Sequence, residues 1–322
     1  MDQAEHRTSL ARIPKGFKVD SSAGSLLLRS SKTSLPISSA VAVSDWLWLL
    51  ACMYCGIKVI EHWSLWLALA IHILVLWPLG SRAQRGSENL THEASHYNLA
   101  HRRKSANDFI GNWLCSYWVL ISVGMFRTPH MIHHKKFGSD TDPDKKRFLK
   151  LDLDRIRRDR KWQFALQLSK TMPMYVQDYW RQFGGKKGQL AISALLHFAL
   201  VVIVSCFINK NFWLYWLVYF WIPFLFYLPV LRFIAEAEEH RYFAAKTEFE
   251  STFSNLGRFQ RWFLHPHGDA YHLLHHMEPQ IPHWRLSRVH KELSKLDLRF
   301  CKGKYRTSIF QDTDDKNKRS QT

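Results

Sequence analysis

Cysteine is scarce in this chain. The five present in 322 residues, Cys52, Cys55, Cys115, Cys206 and Cys301, fall mostly in apolar stretches, which excludes a disulfide framework. They form no iron–sulfur cysteine set, and Cys52-x-x-Cys55 inside an apolar segment reads as inert packing rather than a redox pair. Acidic residues are also few, 27 Asp and Glu against 45 Lys and Arg, for a net charge of +18. Strongly basic chains often bind nucleic acid, but no recognition module or Gly-aromatic RNA motif is present, and nucleic acid is excluded as the partner. A cleavable N-terminal signal is lacking as well. Residues 1–39 are polar, Ser-rich and basic, with Leu26-Leu27-Leu28 as their only apolar run. They read as a disordered cytosolic arm, and residues 301–322 as a polar C-terminal tail.

Apolar residues are concentrated in blocks, crowded with 14 Trp, 11 Tyr and 21 Phe. Residues 40–60 and 64–80 form one pair and residues 190–208 and 212–235 a second, each close to the ~20 residues that a membrane-spanning helix needs. Buried helices of a soluble bundle would show polar faces that these blocks lack. Lys and Arg gather in Arg82–Lys104, Lys135–Arg160 and Arg285–Lys304, whereas the tips of the two hairpins are nearly free of them. This asymmetry predicts a multi-pass membrane protein with both termini on the cytosolic side. The apolar run from Trp113 to Phe126 is too short to cross and is expected to form a re-entrant or interfacial helix. Glu88–Arg103 contains no breaker and reads as a helix beyond the second span, which is expected to end at Pro78-Leu79-Gly80. The charged stretch from Lys135 to Lys187, with Trp162, Tyr175, Tyr179 and Trp180, suits amphipathic helices over the site, followed by a glycine joint at Gly184–Gly188. The expected fold is therefore all-α: four transmembrane helices in two hairpins, a short re-entrant helix and a cytosolic helical cap.

Three histidine clusters lie just beyond these apolar elements: His92-x3-His96, His130-x2-His133-His134 and His272-x2-His275-His276. Spacings of three and four residues place the rings on one helix face. Neutral imidazole ligates iron, zinc, copper and nickel, and eight such groups exceed what one tetrahedral zinc can use. Two metal ions beside long apolar segments point to oxygen chemistry on a lipid-like substrate. A membrane receptor or transporter that holds zinc is the non-enzyme alternative. His72 and His197, inside spans, and His101, His265, His267, His283 and His290 read as packing, surface or supporting groups.

The extended clusters resemble the membrane fatty acid desaturase and hydroxylase superfamily over residues 79–296. The first continues to Asn107-Asp108, the second to Asp142-Pro143-Asp144 and the third to Glu278-Pro279-Gln280-Ile281-Pro282, contexts similar to the bacterial acyl-chain desaturase branch. The resemblance implies a non-haem di-iron centre, with dioxygen as co-substrate. The implied ligands are His92, His96, His130, His133, His134, His272, His275 and His276, together with His240 just after the fourth span. Glu236 stands where the acyl-CoA branch has a water-bridging asparagine, which leaves a carboxylate contact to iron open. Asp269 is a ligand or a supporting acceptor; Glu93, Asp108, Asp142, Asp144 and Glu239 are candidates to hold ligand ring nitrogens, and Glu238 is expected in solvent or paired with Arg232.

No haem-binding domain or flavin motif is present, so the resemblance implies a separate electron carrier, a ferredoxin or a cytochrome of the b5 type. The expected activity is desaturation of an acyl chain within a membrane lipid environment. Hydroxylation or ketolation of an acyl lipid, carotenoid or related apolar molecule uses the same metal set, and the carrier of the chain stays open.

Overall fold

Four long helices organise the fold of the computed structural model, which describes residues 11–158, 160–182, 187–243 and 245–311. Gly184 and Gly185 of the expected joint, the first ten residues and the tail beyond residue 311 lie outside the described residues. A short helix α1 (Ser21–Ser30) precedes α2 (Leu35–His62), whose Pro36 occupies the first turn, where its missing N–H costs no helical bond. Helix α3 (Leu65–Ser95) turns back beside it, and α8 (Lys187–Phe207) and α9 (Phe212–Glu236) form the second hairpin. These four are long and apolar enough to cross a membrane. Their outward faces expose Leu47, Trp66, Leu74, Phe198 and Phe207, side chains that water disfavours and lipid accepts.

Helix α4 (Lys104–Val119) and helix α5 (Val123–Lys136) meet at 94°. Leu120, in the left-handed region at φ 60°, makes the corner, and Ser122 caps α5 by accepting from the Met125 N–H at 3.2 Å. Trp46, Trp118 and Trp216 pack together at this corner, with Trp46 donating to the Leu114 carbonyl. The cap consists of α6 (Pro143–Lys150), α7 (Lys161–Arg181), α10 (His272–Met277) and α11 (His283–Leu296). Strands β1 (Phe253–Asn255) and β2 (Lys304–Arg306) pair in parallel beside them.

Three prolines inside the spans share one local device. Trp77, Ile222 and Leu228 each donate to the carbonyl five residues back, and each immediately precedes a proline. The widened turn relieves the clash between the proline ring and the preceding turn, so the helix continues. This corrects the expectation that the second span stops at Pro78–Gly80. Helix α3 runs unbroken for 31 residues, about 46 Å at 1.5 Å per residue, and carries the first histidine cluster at its end. The expected helix through Arg103 stops at Ser95 instead. Tyr97 adopts φ 62°, and the Asn107 side chain accepts from the Leu99 and Ala100 N–H groups, which removes them from helical bonding.

The N-terminal arm differs from its expected disorder, and the folded unit from its expected end at residue 300. From Arg12 onward the arm packs on the cap: Ala23 and Leu27 join Leu273, Leu274 and Leu293 in one apolar cluster. At the other end, Phe300 is buried and Arg306 lies in the β-pair, so the folded unit extends past residue 300. Both segments are polar on average, but their few apolar side chains sit at the points where they touch the cap.

Candidate metal centre

Helix periodicity and two loops bring the three clusters to one place. His92 and His96 leave the end of α3; His130, His133 and His134 line one face of α5; His272, His275 and His276 line α10. His240 comes from the loop after α9 and is fixed by an antiparallel bridge to Thr252. Ligand atoms of His92, His96, His130, His134 and His275 all lie within 4.8 Å of one another, and those of His133, His240 and His276 form a second such group. Nε2–Nε2 separations are 3.0 Å for His92–His275, 2.8 Å for His96–His130, 3.1 Å for His130–His134 and 3.2 Å for His134–His275. In the second group they are 3.4 Å for His133–His276, and His272 joins it at 3.1 Å from His240.

The outer nitrogens explain this orientation. His133 Nδ1 donates to Asp142 at 2.9 Å, with Asp144 at 3.6 Å, and His276 Nδ1 donates to Glu248 at 3.0 Å. Asp269 lies 3.5 Å from His92 Nδ1 and accepts from His265 Nδ1 at 2.9 Å. With Nδ1 carrying the proton, Nε2 presents a lone pair, and two lone pairs at 3.4 Å repel unless a cation lies between them. Burial, reinforced by the neighbouring histidines, holds His96, His240, His275 and His276 well below the usual imidazole range, and pushes His272 down to about 3. Most of the cluster is thus the free base that ligates metal. His133 is the exception: burial opposes its charge, but Asp144 and Asp142 outweigh burial and push it up to about 9. A metal ion on Nε2 would take the place of that proton, since ligation and protonation compete for one lone pair. The donor set therefore fits two borderline metal ions held by imidazole.

Several carboxylates take other positions than the sequence suggests. Asp108 makes two bonds to Arg127, at 2.9 and 2.6 Å, and supports no ligand ring. Glu93 accepts from Asn98 and from the His283 N–H instead. Glu236 is bound by Arg147 and by the Tyr175 hydroxyl at 2.6 Å rather than facing a histidine. Glu238, expected in solvent or on Arg232, is fully buried among Arg158, Gln260 and His265. Arg232 pairs with Glu88 at 3.0 Å. Glu239, His265 and Asp269 form a third close group beside the first cluster, crossed by Arg85. Burial, reinforced by Asp269, pushes Glu239 up to about 8, whereas the bonds that His265 donates to Asp269 and Glu238 overcome burial and push it up to about 9.

Sequence spacing missed Glu248 and Arg85. Glu248 follows a helix-capping Thr247 in a chain segment unrelated to the boxes, and nothing in its neighbourhood signals a partner in His276. His72 and His197 are buried inside the spans and satisfied there: His72 by Tyr219 Oη at 2.8 Å, His197 by the Trp118 carbonyl and the Trp216 ring N–H.

A cavity of about 640 Å³ opens against this centre, with His92, His130, His133, His240 and His272 in its wall. Val119, Ile121, Met125 and Phe126 give it an apolar side; Arg147, Arg232, Glu236 and Asp178 give it an ionic one.

Apolar helices of membrane-spanning length, three histidine clusters and a cavity thus meet at one place. A model of the fatty acid desaturase family matches residues 61–306, which include all nine candidate ligand histidines, and the chain belongs to that family. Among characterised proteins it is similar to the dihydrorhizobitoxine desaturase of Bradyrhizobium elkanii, with 24% identity over 232 residues, 65% of this chain and 64% of that relative. The chain thus spans just under two thirds of the relative's length.

Proposed function

We propose that the protein is a non-haem di-iron desaturase that introduces a double bond into a fatty acyl chain. The observation that carries this reading is the pair of adjacent imidazole groups, with carboxylates behind them and a half-apolar cavity in front. His92, His96, His130, His134 and His275 would hold one ion; His133, His240, His272 and His276 would hold the other. Bound iron would supply dioxygen activation and the oxidising power to remove hydrogen from an unactivated methylene. Overall, –CH2–CH2– plus O2, two electrons and two protons gives –CH=CH– plus two water molecules.

The chain's own residues supply position and shielding. Asp142 and Glu248 keep His133 and His276 in the tautomer whose Nε2 faces inward. The wall of Val119, Ile121, Met125 and Phe126 receives a hydrocarbon segment by apolar burial, about 0.8 kcal/mol per methylene. Arg147, Arg232 and Glu236 bound the opposite side and suit a polar part of the same substrate. Electrons would arrive from a separate acidic carrier of the ferredoxin or cytochrome b5 type, steered by the basic surface. The Lys/Arg asymmetry supports an orientation with the metal centre and both termini in the cytosol.

Mass spectrometry of lipid extracts from native cells with and without the active protein tests the reaction. Desaturation gives an acyl species two hydrogens lighter than its parent. A product one oxygen heavier would assign the centre to hydroxylation instead, and a change confined to pigments would assign it to carotenoids.

A further inference from the structure

Residues 12–17 cross the cap and touch both loops that hold the second histidine group. Arg12 pairs with Glu248, the carboxylate that accepts from His276 Nδ1. The Pro14 carbonyl accepts from the Glu248 N–H at 2.9 Å, and the Lys15 carbonyl accepts from the Phe249 N–H at 3.0 Å. Lys15 Nζ reaches the Met277 carbonyl, next to His276, at 3.1 Å. Gly16 passes Thr247 at φ +75°, where a Cβ would lie 2.4 Å from the Thr247 Cβ, so only glycine allows this crossing. Phe17 then stacks on Phe249 with ring centroids 5.0 Å apart.

Ile13 acts on the other loop. Its N–H donates to the Phe137 carbonyl at 3.1 Å, and its side chain lies against Gly138. Gly138, at φ +70°, donates its own N–H to Asp142 Oδ2 at 2.8 Å, while Asp142 Oδ1 accepts from His133. Two short chains of contact therefore run from the segment: Arg12 to Glu248 to His276, and Ile13 to Gly138 to Asp142 to His133. Both end in the group formed by His133, His240 and His276, and neither leads to His92, His96, His130 or His134.

We infer that residues 12–17 are a strap that positions the second metal-binding group, with Arg12 as its principal positioning residue. Glu248 is nearly inaccessible to water. Without Arg12 it would keep a buried charge with no cationic side chain bonded to it, a state that favours movement of the carboxylate away from His276. His276 would then lose the acceptor that fixes its ring. Outer partners of metal-ligating histidines typically matter by 10–100-fold in metal affinity, and the strap directs that effect to one of the two ions.

The inference rests on the di-iron reading, and the experiment separates the two. Full-length protein purified from membranes is compared with Arg12→Ala and Arg12→Lys, measuring iron per chain and the time course of iron release to a chelator. The expected result is that Arg12→Ala releases one ion about 10-fold or more faster and the other at the wild-type rate, and that Arg12→Lys restores much of the slow release. Unchanged release in Arg12→Ala, or equal acceleration of both ions, would overturn the strap while leaving the di-iron reading intact. Fewer than two ions in active wild-type protein would overturn the di-iron reading itself and the strap with it.

Discussion

Replacing Asp142 by Asn changes one atom in a fully buried carboxylate and should selectively weaken one metal ion. Oδ1 of Asp142 accepts from His133 Nδ1 at 2.9 Å, from the Asp144 N–H at 2.9 Å and from the Lys145 N–H at 3.3 Å; Oδ2 accepts from the Gly138 N–H at 2.8 Å. An asparagine has one acceptor oxygen. Turned toward His133 and the start of α6, it opposes its NH2 to the Gly138 N–H. Turned the other way, it opposes the NH2 to the His133 Nδ1–H and favours the wrong tautomer. Either arrangement leaves a buried donor unpaired, at a cost of about 1–3 kcal/mol. Loss of an outer partner typically lowers metal affinity 10–100-fold, or about 1.4–2.8 kcal/mol at 1.4 kcal/mol per decade, so the two routes agree. The assay is iron content and chelator competition on protein purified from membranes. One ion should bind 10–100-fold more weakly and the other unchanged. Wild-type affinity for both would show that Asp142 serves only as the cap of α6.

Other outcomes follow from the same contacts. His72→Ala should leave iron content unchanged but lower stability by about 1–3 kcal/mol, since it strands the buried Tyr219 hydroxyl; loss of iron in thermal-denaturation samples held below the midpoint would contradict this. Arg232→Ala removes one of two arginine partners from each of Glu88 and Glu236 and should cost about 1.5–3 kcal/mol in chemical unfolding, whereas a change within error would mean the network is not stabilising. His265, pushed up to about 9 by Asp269 and Glu238 against burial, stabilises the fold fully below its ordinary pKa of about 6.5 and loses that contribution as pH rises through 9. The unfolding midpoint of the metal-free protein should therefore fall across this range, and His265→Gln should flatten the slope; an equal slope in both proteins would refute the assignment. Single cysteines at the exposed positions Ser105 and Lys246 should label from one side of the membrane and Asn209 from the other, and labelling of all three from one side would break the two-hairpin arrangement.

The parts of the fold that depend on composition and local period were legible in the sequence. Apolar blocks long enough to span a membrane become four helices because lipid leaves no other partner for their backbone groups. The histidine spacing also carried through, since i, i+3 and i+4 positions share a face whichever tertiary contacts form. Long-range pairings were not legible. Glu248 and Arg12 are 236 residues apart, and neither carries a local signal for the other. Glu236 and Glu238 fall within one acidic run, yet the backbone turn after α9 sends one to Arg147 and Tyr175 and the other to Arg158 and His265. The polar N-terminal segment looked unable to bury enough surface to order itself. It orders because the cap presents Phe249, Leu273 and Leu274 to it.

The metal content of active protein isolated from its native membranes tests the central claim most directly. Overexpressed material is unsuitable, because zinc can occupy imidazole sites in place of iron. Two iron ions per chain is the predicted result, with activity abolished and iron lost from the affected group when His92, His133 or His275 is replaced by Ala in protein that still reaches the membrane. Stoichiometric zinc without iron in active native material would contradict it.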